Sequence, residues 1–130
     1  MISVKAIVKG EPDTRPFTMD FQYRSKSDEI IFSTSVQMIS EKLTRNLKIN
    51  THESLVLYCD YIVDAIRRGK SDEKIQDDVR GILSANIVMI GVPETLRLIT
   101  VDALVDNLPR RQITLNRPIV ENLRFVKPLP

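Results

Sequence analysis

His52, Cys59 and the adjacent pair Asp77-Asp78 are the side chains of this sequence whose types could support chemistry beyond packing. A catalytic metal needs about three protein ligands. A chain with one histidine and one cysteine cannot build that set from soft donors. A Ser/His/Asp relay would want its serine on a glycine-flanked elbow, and no serine here has that setting. The four glycines, at 10, 69, 81 and 91, are too scattered to form a phosphate-cradling loop. His52, beside Glu53, therefore reads as an exposed or capping residue at a helix start. Cys59 reads as a small buried hydrophobe, and Asp77-Asp78 as solvated charges on a short amphipathic helix. No catalytic residue and no metal ligand is assigned, and no cofactor is expected in this chain.

The element that carries His52 and Cys59 dominates the chain. Asn50 is a good N-cap, with Glu53 three residues on, in position to reach back to the cap's own N–H. From Leu55 to Ile66 the spacing predicts a helix with Leu55, Tyr58, Ile62 and Ile66 on one stripe. Val56, Leu57, Cys59, Tyr61 and Val63 widen that stripe to nearly the full circumference. Such a helix must be covered on most sides, so it reads as the centre of the domain. Asp64 and Arg68 stand four apart near its end, Gly69 supplies the left-handed stop, and Ser71 caps the next helix.

At 130 residues, with 42% apolar and 28% charged side chains, the chain can bury a real core. Its net charge of +2 does not call for a polyanionic partner. One cysteine rules out an internal disulfide and suits a reducing compartment. No run is long enough to span a membrane. Residence in the cytoplasm is the expectation.

Around the central helix, residues 2–9 and 17–24 alternate apolar and polar side chains and predict an N-terminal β-hairpin over 2–24. Its aromatic face needs cover, from this chain's own helices or from another subunit. Ser27 is a candidate cap for a helix over about Asp28 to Asn46, with Phe32, Val36, Ile39 and Leu43 as buried stripe and Ile31 and Met38 beside it. A short helix follows over about Asp72 to Leu83. Residues 84–95 keep neither period and read as an apolar loop punctuated by Gly91 and Pro93. Alternation returns with Ile99, Val101, Ala103 and Val105, then Ile113 and Leu115, predicting a C-terminal hairpin. The fold class is α+β: a three-helix core with a C-terminal antiparallel hairpin, plus an N-terminal one. The organisation expected is an extension over 1–27, an α+β domain over 28–119 and an extended tail over 120–130.

More apolar surface is present than a lone chain of this size needs. The candidates for contact with another subunit are Ile87, Val88, Met89, Ile90, Val92 and Pro93 in the loop, and Leu123, Phe125 and Val126 in the tail. Residues 110–130 also hold five basic side chains (Arg110, Arg111, Arg117, Arg124, Lys127) against Glu121 alone.

Five short stretches, in order, resemble the gamma subunit of urease. Leu47-Lys-Ile-Asn-Thr-His-Glu53 is similar to that family's Leu-Lys-Leu-Asn-Tyr-Pro-Glu, including Asn50 and Glu53. Arg68-Gly-Lys-Ser71 resembles its Asp-Gly-Lys-Ser, and Val88-Met-Ile-Gly-Val-Pro-Glu94 its Val-Met-Glu-Gly-Val-Pro-Glu. Val101-Asp-Ala103 resembles its Val-Glu-Ala, and Asn116-Arg-Pro-Ile119 its closing Asn-Pro-Ile. Two departures stand out: Ile90 replaces a glutamate, and Asn107-Leu-Pro-Arg-Arg111 replaces a Pro-Asp-Gly hairpin tip.

The resemblance implies a non-catalytic structural subunit of a cytoplasmic enzyme that hydrolyses urea to ammonia and carbamate. It implies beta and alpha subunits as partners in a larger assembly of heterotrimers, with nickel held by the alpha subunit and none here. The alternative is a free-standing binding module that uses the basic C-terminal segment on nucleic acid or an acidic protein. That segment has one aromatic ring, Phe125, so stacking on bases is poorly served.

Overall fold

The computed structural model describes residues 2–11 and 15–120. Two strands, β1 (Ile2–Lys9) and β2 (Phe17–Tyr23), are followed by helices α1 (Lys26–Thr44), α2 (Thr51–Arg67) and α3 (Asp72–Val79). A single helical turn, α4 (Val92–Thr95), leads into strands β3 (Leu98–Val105) and β4 (Arg111–Asn116). The class is α+β, and the sheet is antiparallel throughout, in the order β2-β1-β3-β4.

The two hairpins are halves of one sheet. β1 pairs with β3 over its whole length, from Ile2 opposite Val105 to Lys9 opposite Leu98. An isolated hairpin is marginal in water; joining the two gives four strands a common apolar face. The alternation makes that face: Ile2, Val4, Ala6 and Val8 of β1, Ile99, Val101, Ala103 and Val105 of β3, and Ile113 and Leu115 of β4 are all buried on it. The N-terminal hairpin is thus covered by this chain's own helices.

Helix α2 lies on that face. Leu55, Val56, Tyr58, Cys59, Ile62, Val63, Ala65 and Ile66 are buried, consistent with its nearly circumferential apolar surface. Its Arg67 guanidinium grips Asp106 at the β3–β4 turn through two hydrogen bonds of 2.9 and 3.1 Å. Asp106 is left-handed there, at φ 53°. Asp64 and Arg68 form the expected i,i+4 pair at 3.0 Å, and Gly69 closes the helix at φ 73°.

Helix α1 starts earlier than its sequence suggests and is less buried. Ser25, not Ser27, is the cap, because Ser25 Oγ accepts from the Asp28 N–H (3.3 Å) while the Asp28 carboxylate accepts from the Arg24 N–H (3.0 Å). The helix leans on the sheet through Phe32, whose ring meets Phe21 edge-on at 5.7 Å and Tyr23 at 4.9 Å. Ile39 is its one buried residue. Ile31 and Met38, each one residue before a member of the stripe, are rotated about 100° from it and are exposed.

Helix α3 ends at Val79 rather than running to Leu83. Gly81 and Ile82 donate to carbonyls three residues back, at 3.0 and 3.1 Å, tightening the chain out of the α period. The apolar stretch that follows is better ordered than a loop. Val88 forms a parallel bridge with Ile49, Ser84 forms another with Val120, and Gly91, at φ 93°, turns the chain into α4.

Candidate interaction surface

The residues with the most reactive chemistry are held apart and occupied. Cys59 is buried on α2, and burial, with the Asp60 charge second, pushes its thiol up to about 12. Asp78 is not simply solvated. It accepts from the Tyr61 hydroxyl at 2.5 Å and pairs with Lys70 at 3.1 Å and Lys74 at 3.2 Å. Those bonds, the hydroxyl's foremost, hold its carboxyl down to about 2. The cluster clamps the end of α2 to α3. Asp77 is exposed. Among the described residues no three His, Cys, Asp or Glu side chains converge in an arrangement that could hold a metal ion.

His52 is exposed in the first turn of α2, next to a reciprocal cap. Asn50 Oδ1 accepts from the Glu53 N–H at 2.8 Å, and Glu53 Oε1 accepts from the Asn50 N–H at 3.0 Å. Lys42 of α1 then donates to Glu53 Oε2 at 2.5 Å. Burial pushes the Glu53 carboxyl up, but the hydrogen bonds from Lys42 and Asn50, with the neighbouring positive charge, outweigh it and leave the group below its ordinary value. At α3, Ser71 Oγ accepts from the Lys74 N–H at 3.2 Å.

The structure divides the apolar stretch before α4 into two sets. Val88 and Val92 are buried in the chain's own core, and Ile87 and Pro93 are half-buried. Met89 and Ile90 project outward, 45% and 100% exposed. Their position is fixed from both sides. The Met89 N–H donates to the Ile49 carbonyl at 2.8 Å, and left-handed Gly91 follows Ile90. The bridge thereby sets Met89 and Ile90 next to the start of α2, with exposed Leu47 on the adjoining segment. Leu123, Phe125 and Val126 lie outside the described residues.

The basic segment is partly engaged. Arg110 pairs with Asp102 at 3.2 Å, and Arg111 pairs with Asp72 and donates to the Lys70 carbonyl. Arg117 is exposed, and Arg124 and Lys127 lie outside the described residues.

A second surface has no counterpart in the sequence reading. Between β2 and α1 runs an open groove of about 500 Å³ whose apolar lining includes Phe21, Phe32, Ile31 and Met38. The placement of Ile31 and Met38 off the buried stripe is its only sequence signal; β2's position at the sheet edge leaves none.

The order of elements from β2 to β4, the capped central helix and the turn at Gly91-Val-Pro can be set beside known families. The sequence model of the urease gamma subunit matches residues 19–119. The chain belongs to the urease gamma subunit family. The match begins within β2 and ends just after β4, so β1 and the first part of β2 precede it while completing the sheet. Within the urease gamma match lie the Asn50–Glu53 cap, Met89, Ile90 and the α1 wall of the groove. No helix among the described residues is long and apolar enough to cross a membrane.

Proposed function

We propose that this chain is a non-catalytic structural subunit of a urease, packing through its projecting apolar residues against the catalytic alpha subunit. The observation that carries the reading is the urease gamma match over residues 19–119, inside which a fully exposed isoleucine is held on a rigid turn. Ile90 is 100% exposed, and with exposed Met89 and Leu47 beside it forms an apolar patch of the kind that marks a protein contact. The family's glutamate at Ile90 would offer a charge to a partner; isoleucine offers a hydrophobic plug. The matching pocket would be correspondingly apolar.

In this reading nickel and the hydrolytic chemistry belong to the alpha subunit, a beta subunit completes the heterotrimer, and the assembly works in the cytoplasm. The chain supplies rigid surface. Co-expression with urease alpha and beta subunits, followed by affinity purification through this chain, tests it. Stable recovery of both subunits with urea hydrolysis is expected, with none from the chain alone, and Ile90→Asp should reduce recovery at unchanged thermal stability. A chain that purifies without them overturns the proposal.

A further inference from the structure

Helix α1 carries a second stripe beside the one that leans on the sheet. Asp28, Ile31, Ser35, Met38 and Lys42 all line the groove. Their spacing of three, four, three and four is the rhythm of a helix that packs along another helix. At about 100° per residue the five fall within about 80° of one another, so they form one seam. Its apolar members, Ile31 and Met38, are 66% and 62% exposed. Between them Ser35 is small, and its hydroxyl already donates to the Ile31 carbonyl at 3.1 Å. A second helix can approach closely there without stranding a polar group.

The order of residues in the seam identifies that helix. Outward from Ser35, each direction meets an apolar residue first and a charge second, and the two charges have opposite sign. Turned end for end, the seam is its own complement. An antiparallel pair of α1 helices about a twofold axis at Ser35 sets Ile31 against Met38 of the second copy, and Asp28 against its Lys42. A twofold interface requires such self-complementarity. A parallel pair would instead stack Asp28 on Asp28 and Lys42 on Lys42, and like charges oppose that. Both charged groups can take the extra contact. Lys42 keeps its bond to Glu53 and remains 46% exposed, with ammonium protons to spare. Asp28 accepts the Arg24 N–H through Oδ2, which leaves acceptor capacity at Oδ1.

We infer that this chain pairs with a second copy of itself through α1, antiparallel about a twofold axis at Ser35, each α1 lying along the groove of the other. The test uses this chain alone, so its failure would leave the association with urease subunits standing. In sedimentation velocity the full-length chain should shift toward twice its monomer mass as its concentration rises. Ile31→Lys should remain monomeric over the same range, and since Ile31 is exposed the fold should tolerate it, as circular dichroism will show. Under mild oxidation Ser35→Cys, on the axis, should form a symmetric disulfide dimer at about tenfold or more the yield of Ser33→Cys, because pairing raises the effective concentration. Ser33 is exposed on α1 but points about 160° away from Ser35, and Cys59, buried, does not interfere. Asp28→Cys should give no excess, since the two copies of that position lie about 21 Å apart along an antiparallel pair. A chain that stays monomeric at every concentration, a Ser35→Cys yield equal to that of Ser33→Cys, or an excess at Asp28→Cys overturns the inference.

Discussion

Glu53→Ala is the substitution that most tests how the helices are locked together. The Glu53 side chain is 12% exposed, and three features end on it: the second half of the α2 cap, the ion pair to α1, and the burial of a charge between them. The bond from the Asn50 N–H is worth about 1 kcal/mol. The Lys42 bond, with its ammonium half-exposed, adds about 1 kcal/mol after solvent screening rather than the full value of a buried pair. Glu53→Ala should therefore cost about 2 kcal/mol. Glu53→Gln keeps the cap acceptor and loses the charge, so it should cost about half as much. With an unfolding entropy of about 2.1 cal/mol/K per residue, 2 kcal/mol lowers the melting temperature by roughly 7 °C for a chain of this length. Because the folded carboxyl titrates below its ordinary 4.5, the contribution is complete above that value and is lost as pH falls through the folded pKa. The gap between wild type and Glu53→Ala, followed by circular dichroism melts, should shrink from about pH 7 to about pH 2.5. Equal melting temperatures at neutral pH, or a gap that does not change in acid, would refute the reasoning.

Other substitutions probe separate parts of the molecule. Ile62→Ala empties a fully buried site on α2 and should cost about 2–5 kcal/mol, read as a fall of roughly 10 °C or more in the melting temperature. The Cys59 thiol, pushed up by burial, should resist a thiol reagent at mildly alkaline pH and react fully once the chain is unfolded in denaturant. At the β3–β4 turn, Asp106→Gly relieves a left-handed backbone but removes the exposed Arg67 pair, so denaturant titration should show a change within about 0.5 kcal/mol. Asp106→Ala loses the pair without relieving the backbone, so it should be destabilised by about 0.5–1 kcal/mol relative to wild type.

Much of this architecture is written in periodicity. Helix α2 declares itself through its cap and its apolar turns, and the inward residues of β1, β3 and β4 through strict alternation, because each signal is local. The β1–β3 pairing joins residues about 90 to 100 positions apart and has no local signature, which is why two hairpins were legible and one sheet was not. Ser25 and Ser27 flank the same helix start and look equivalent. Asp28 decides between them by bonding back across Ser25 to Arg24. The candidate contact residues were legible as an apolar run beside Gly91, but not as a set of directions. Val88 and Val92 turn inward while Met89 and Ile90 turn out, since the Ile49 bridge imposes an orientation that no period in the sequence records. The groove depends on β2 being the last strand, a fact of topology alone.

Oxidation of Met89 by dilute peroxide, followed by mass spectrometry, addresses the proposed role most directly. Met89 is half-exposed beside Ile90 in the chain by itself. In complex with urease alpha and beta subunits its oxidation should slow at least about tenfold relative to the free chain, because the contact removes it from solvent. Oxidation at the same rate in both states would contradict the account.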